Sequence, residues 1–177
     1  MKKVITRFAP SPTGTLHIGG VRTALFNYAY AKKYNGLFLV RIEDTDRARS
    51  TKEFEKNILD SLNSIGLTPD LDPINQSERN EIYTNAAQKI IDSDQAYYCE
   101  CSVERLDKMR SEQQANGEKP QYDGRCRDLN LDKSDKRVLR LKTPQDGQIV
   151  VKDFVRGDVV FSNTELDDLI ILRGDGS

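Results

Sequence analysis

The chain has 177 residues, with 27 Lys and Arg against 28 Asp and Glu, and its net charge is −1. That balance excludes a protein that holds nucleic acid by bulk charge, so any RNA contact must come from local basic surface. No apolar run nears the length of a membrane span and residues 1–12 carry no apolar core of signal-peptide length, which points to the cytoplasm, where three cysteines read as thiols or metal ligands rather than disulfides.

Residues 3–9 read as a first strand, with Val4, Ile5, Phe8 and Ala9 apolar. The strand breaks into a turn, Pro10-Ser11-Pro12-Thr13-Gly14, and His17-Ile18-Gly19-Gly20 leads into a helix over 18–33. Its expected buried stripe is Val21, Ala24, Leu25, Tyr28 and Ala29, and Asn35-Gly36 ends it. Strand, glycine-containing turn and helix N-terminus is an arrangement that holds phosphates. Unpaired N–H groups of the first turn face the ligand, the helix dipole favours negative charge, and glycine permits close approach. His17, the only histidine, stands there with a ring able to donate to a phosphate oxygen.

Leu37-Phe38-Leu39-Val40 is apolar without alternation, which suits a central parallel strand covered on both faces. Strand, helix and strand make a right-handed βαβ unit, and doubly wound sheets bind ligands at the carboxyl ends of their strands. Arg41-Ile42-Glu43-Asp44-Thr45-Asp46-Arg47 follows at such an end, its arginines compensating its acids and making it a poor metal site. Ser50 or Thr51 caps the next helix, whose stripe is Phe54, Ile58, Leu59, Leu62 and Ile65 and whose stop is Gly66. Residues 67–75 are a loop. Gln76-Ser77-Glu78-Arg79 opens a third helix with Ile82, Tyr83, Ala86, Ala87, Ile90 and Ile91 inward.

After Tyr97-Tyr98 the character changes. Cys99-Glu100-Cys101, an edge strand over 97–101, leads into a polar helix over about 103–115, a loop from Asn116 to Arg127 with little to bury, and an exposed charged stretch. Short strands are expected at Val138–Leu141, Ile149–Val151, Val159–Phe161 and Leu169–Leu172. Cys99, Cys101 and Cys126 are a candidate zinc set, folded together by the returning 116–127 loop, with free apolar thiols as the alternative. Tyr122, four residues before Cys126, is one candidate for a fourth ligand.

The string from Arg7 to Gly20, with R-I-E-D-T-D-R-A-R and Q-S-E-R, resembles the class I aminoacyl-tRNA synthetases, and glutamyl-tRNA synthetases in particular. The resemblance implies an α/β, Rossmann-like doubly wound parallel sheet, first half, with a small mixed α/β insertion. It divides the chain into residues 1–98 (nucleotide-binding half), 99–167 (inserted acceptor-end-binding module) and 168–177 (a return strand). It implies ATP-dependent activation of glutamate and its transfer to the 3′ end of tRNA(Glu), with Mg²⁺ accompanying ATP. His17, Gly19 and Gly20 would act on phosphate. Pro10, Thr13 and Gly14 would complete the ATP site with His17 and Gly19. Arg7 would grip a glutamate carboxylate, Glu43 its ammonium, and Ser11 would offer a hydroxyl. Some relatives carry zinc at the matching cysteines with a histidine after the third; here that position is Asp128, the other candidate fourth ligand. A monomer is expected. The lysine-rich KMSKS loop and an anticodon-binding region are missing, so the chain reads as part of a longer enzyme, inactive alone. A glutaminyl-tRNA synthetase, a tRNA-modifying glutamyl-transferring paralogue and a non-catalytic ATP-, glutamate- or RNA-binding module are the alternatives.

Overall fold

The structure, a computed structural model, describes residues 3–174. The chain forms two compact units, residues 1–80 and 81–177. No helix among the described residues is long and apolar enough to cross a membrane.

The first unit begins with strand β1 (Ile5–Phe8), helix α1 (Ile18–Lys33) and strand β2 (Leu37–Ile42). Helix α2 (Lys52–Ser64) and a two-residue strand β3 (Ile74–Asn75) complete a parallel sheet of order β1-β2-β3. This is the Rossmann-like half expected of the class I catalytic fold. Ile5, Thr6, Arg7 and Phe8 stand beside Leu37, Phe38, Leu39 and Val40 in register. β3 lies inside the segment read as a loop; two residues leave too little pattern to see.

The core takes Phe8 from β1, Phe38, Val40 and Ile42 from β2, Ala24 and Ala31 from α1, and Ile58 and Leu62 from α2. β2 therefore buries alternate residues, while Leu37, Leu39 and Arg41 remain half-buried. The unbroken apolar run suggested cover on both faces, but α1 and α2 pack on the even-numbered face. In α1 the buried positions are Ala24 and Ala31, with Tyr28 edge-on to Phe38; Leu25 and Ala29, expected inward, are exposed. Small alanines let the helix lie close to the sheet, and that rotates the larger apolar residues outward. Thr51, rather than Ser50, caps α2 by accepting the Phe54 N–H, and Ile65 is an exposed C-cap. Gly36 is needed for space: a Cβ there would lie 2.3 Å from the Val4 carbonyl oxygen.

A 3₁₀ turn (Gln76–Arg79) precedes helix α3 (Asn80–Asp92). In the second unit α3 packs through Ala87, Ile90 and Ile91 on Ala96, Tyr98 and Leu139 of an antiparallel sheet of order β4-β5-β8. The strands are β4 (Ala96–Cys99), β5 (Val138–Leu141) and β8 (Ile170–Leu172). Ile82 and Ala86, read as core, are exposed. The compact units therefore divide at 80/81, which puts nearly all of α3 and all of β4 in the second unit, rather than at the 98/99 boundary drawn from the sequence. Helix α4 (Val103–Ala115), capped by Ser102, follows β4. Strands β6 (Gln148–Asp153) and β7 (Gly157–Ser162) form a separate hairpin. Its tip is fixed by Asp153, whose Oδ1 accepts the N–H groups of Val155 and Arg156, and by Gly157 at φ +77°. Of the return segment 168–177, residues 175–177 lie outside the described residues.

Candidate active site and thiol cluster

The turn after β1 is held from three sides. The Glu43 N–H donates to the Pro10 carbonyl (2.9 Å), the Thr51 N–H to the Pro12 carbonyl (3.1 Å), and the Leu16 N–H to Asn57 Oδ1 (3.2 Å). The end of β2 and the first turns of α2 therefore clamp the loop that β1 feeds. Pro12 is fully buried as the anchor. Ser11 is exposed, and Pro10, Thr13 and Gly14 are half-buried. A Cβ at Gly14 would meet nothing within 4 Å, so the turn opens onto free space.

His17 is the N-cap of α1. Its Nδ1 accepts the Gly19 N–H at 3.2 Å, while its carbonyl takes the first helical bond from Val21. An accepting Nδ1 leaves the ring proton on Nε2, and the exposed ring presents that donor beside the helix N-terminus. The sequence reading offered the Gly19 N–H to phosphate; here His17 uses it. Gly19 also makes room for the ring, since a Cβ there would stand 3.0 Å from His17 Cε1.

The residues read as glutamate contacts are on two adjoining strands. Arg7 is exposed on β1, and Glu43 is half-buried just past β2. Glu43 is not a free anion: its carboxylate pairs with the Arg41 guanidinium. Arg41 Nε is buried without a hydrogen-bond partner among the described residues. Asp46 pairs with Arg49, outside the Arg41–Arg47 string, so arginines compensate Glu43 and Asp46, whereas Asp44 is held by neutral donors.

Sequence reasoning missed the hub beside them. Asp44 accepts the Ser77 N–H (2.8 Å), the Ser77 hydroxyl (2.6 Å) and Asn75 Nδ2 (3.3 Å). Burial pushes its carboxyl up, but the Ser77 and Asn75 hydrogen bonds outweigh that and hold it below the usual range. Asn75 also donates to Glu55, which pairs with Lys52. A cavity of 360 Å³ lies among Pro12, Asp44, Arg47, Lys52, Glu55 and Ser77. None of the residues assigned to glutamate or ATP lines it. Asp44 and Ser77 are 33 residues apart, and no local pattern links them.

In the second unit the three cysteines converge. The Sγ atoms of Cys99, Cys101 and Cys126 all lie within 4.8 Å of one another, with Cys101 and Cys126 3.6 Å apart. The Tyr122 hydroxyl stands 3.3 Å from Cys99 Sγ and 3.6 Å from Cys101 Sγ, and accepts the Cys126 N–H at 3.0 Å. Around a tetrahedral zinc, thiolate sulfurs about 2.3 Å and an oxygen about 2.0 Å from the ion stand about 3.5–3.8 Å apart. The cluster has nearly those dimensions, so these residues fit zinc. Asp128 is exposed, and its carboxylate is not part of the group.

Burial raises the Cys99 thiol, but hydrogen bonds from Tyr122 and Arg140 bring it below the ordinary value. Cys101 is pushed up to about 11 by burial and by its sulfur neighbours, against the Tyr122 hydroxyl. Burial, then hydrogen bonds to the cysteines, raise Tyr122 far above a normal phenol. Arg140 lies over the Tyr122 ring at 3.8 Å and donates to the Asp168 carbonyl (2.7 Å).

Asp168 is the second knot. Its buried carboxylate accepts from the Tyr97 hydroxyl (2.6 Å), Arg127 (2.8 Å) and the Thr143 N–H and hydroxyl (2.9 and 2.6 Å). Burial alone would raise its pKa; the Thr143, Tyr97 and Arg127 hydrogen bonds take it below the usual value. Burial and the same carboxylate push the Tyr97 phenol up.

A histidine-capped helix following a clamped turn on a parallel sheet agrees with the fold that the resemblance to class I aminoacyl-tRNA synthetases implies. The family described as "tRNA synthetases class I (E and Q), catalytic domain" matches residues 3–177, and the chain belongs to it. Glutamate–tRNA ligase 1 of Alkalilimnicola ehrlichii is 54% identical over the whole chain, and glutamate–tRNA ligase 2 of Halorhodospira halophila 52%. The chain spans 38% of the length of each. The crystal structure of a glutamate–tRNA synthetase from Elizabethkingia anophelis superposes with a TM-score of 0.87 at 38% identity, covering 99% of this chain and 40% of that one. A glutamate–tRNA ligase from Elizabethkingia meningosepticum, solved in complex with its amino acid, gives 0.85 at the same identity.

Proposed function

We propose that the chain is the N-terminal part of the catalytic region of a glutamate–tRNA ligase. In the first step a glutamate carboxylate oxygen attacks the α-phosphorus of ATP, giving glutamyl-adenylate and pyrophosphate. In the second, a terminal ribose hydroxyl of tRNA(Glu) attacks the mixed anhydride and AMP leaves. Neither step needs a covalent bond to the protein, so catalysis is positioning and charge stabilisation.

The observation that carries this reading is the His17 cap. It points Nε2–H out at the N-terminus of α1, beside a turn that the scaffold has already fixed. His17 and Gly20 would stabilise charge on the phosphates, with Gly19 giving the His17 ring its cap bond and its room, and Pro10, Thr13 and Gly14 around the nucleotide. Mg²⁺ supplies charge neutralisation when it accompanies ATP. Arg7 would hold a carboxylate of glutamate, Ser11 would donate its hydroxyl, and Glu43 would take the ammonium while keeping Arg41 as its other partner. Residues 99–167 would receive the acceptor end of tRNA, and 168–177 lead back toward the nucleotide fold.

Cys99, Cys101 and Cys126 would hold zinc as thiolates. Tyr122 is the better-placed fourth ligand, since its oxygen is in the cluster and the Asp128 carboxylate is not. The metal would be structural, cross-linking β4 to the 116–127 loop.

Pyrophosphate exchange into ATP tests the reading, in a protein of the relatives' length carrying this sequence. Exchange should require glutamate and fail with glutamine or aspartate. Exchange supported equally by glutamine would refute the assignment.

A further inference from the structure

We propose that Arg140 is a positioning residue of the thiol cluster, compensating its charge when a divalent metal is bound; this rests on the zinc reading above. β5 pairs with β4 so that Arg140 stands beside Tyr97 and Val138 beside Cys99. Paired residues share a sheet face, so Arg140 lies on the side that carries Tyr97 and Cys99, away from Leu139 and α3. There the Tyr122 ring is held between two groups. Arg140 covers its face at 3.8 Å, and its hydroxyl touches the sulfurs of Cys99 and Cys101.

Arg140 is 3% exposed, the most buried charged residue among those described. Its contacts do not meet that charge. One guanidinium N–H donates to the Asp168 carbonyl (2.7 Å), and Nε makes no hydrogen bond among the described residues. No carboxylate among those residues forms an ion pair with it. The Asp168 carboxylate takes Arg127, Tyr97 and Thr143, and Asp167 accepts the Tyr122 N–H. The knot therefore holds two guanidiniums against one carboxylate. Arg105, the other cation at the cluster, reaches Cys101 Sγ at 3.5 Å but is paired with Asp123. A buried charge without a counter-charge is costly. Zinc with three thiolates carries one negative charge, which equals the surplus. The metal then stabilises the buried cation, and by reciprocity the cation tightens the metal.

The test compares the 177-residue chain with Arg140→Gln, which removes the charge and keeps a donor, and Arg140→Lys, which keeps the charge. Zinc affinity is read by competition with a chelator. Arg140→Gln should bind zinc about 10- to 100-fold more weakly, the usual cost of losing a group behind a metal's ligands, and Arg140→Lys should recover most of it. Cobalt(II) gives a readout that lost packing would not move. Its sulfur-to-metal charge-transfer band should shift to longer wavelength in Arg140→Gln, because no cation lowers the sulfur lone pairs, while the four-coordinate visible bands stay. Zinc bound equally by all three chains, or an unshifted band, overturns the inference and leaves the zinc reading standing. Equal weakening in both variants assigns the loss to shape rather than charge and also overturns it. Unfolding after chelation covers an unstable variant. Without metal, Arg140→Gln loses an uncompensated charge and should be at least as stable as the unaltered chain. A variant that fails to fold, or is the less stable without metal, makes Arg140 an anchor of the Asp168 knot and overturns the inference. An unaltered chain that takes up no stoichiometric zinc overturns the zinc reading and this inference together.

Discussion

The turn at Pro10–His17 and the knot around Asp168 are built by opposite means. The turn is open, and the bonds that pin it run mainly through backbone: Glu43 and Thr51 N–H groups to two proline carbonyls, with Asn57 as the one side-chain clamp. The knot is closed and made of side chains, with a buried carboxylate shared by Tyr97, Arg127 and Thr143. Backbone clamping leaves side chains free to face a ligand. Side-chain clamping uses them up. The first plan suits a site that must admit a ligand, and the second suits a support that must not move.

Breaking the knot should have the largest effect on stability. Asp168→Asn leaves Arg127 without its counter-charge and should destabilise the second unit by about 3–5 kcal/mol. Hydrogen exchange at β4 and β5 amides reads this directly. The same carboxylate gives a pH signature. Its folded pKa lies below the unfolded value, so its stabilisation is complete above about pH 4 and is lost as pH falls through the folded pKa. Acid unfolding followed at β4 should show this loss in the unaltered chain and lack it in Asp168→Asn.

The thiol cluster gives the next largest effect. Cys126→Ser should abolish stoichiometric zinc in the purified protein. Tyr122→Phe should weaken zinc about 10-fold or more in competition with a chelator, while Asp128→Ala leaves it unchanged. The reverse order would return the fourth position to Asp128.

These two regions were unequally legible in the sequence. The turn and helix start were readable because the chemistry sits in one contiguous string, and the cysteines because thiols are few. The convergence of Cys99, Cys101 and Cys126 followed from folding the 116–127 loop back onto β4. Asp168 was invisible, since its partners Tyr97, Arg127 and Thr143 come from three other segments. So was the pairing of Asp44 with Ser77. Apolar periodicity also misplaced Leu25, Ile65 and Ile82, each now exposed. A stripe marks a helix face, but packing by small residues such as Ala24, Ala31 and Ala87 decides which way that face turns.

The smallest expected effect concerns the turn's side-chain clamp. Asn57→Ala removes the acceptor for the Leu16 N–H and should cost about 1 kcal/mol in thermal or denaturant unfolding. A loss as large as that for Asp168→Asn would mean the turn is supported by side chains after all.

The most direct test of the central claim is His17→Ala in a protein of the relatives' length carrying this sequence. If His17 Nε2–H serves the transferring phosphate, the glutamate-dependent exchange rate should fall by roughly 10²–10³ with glutamate binding little changed. An unchanged exchange rate would remove His17 from the chemistry and contradict the account.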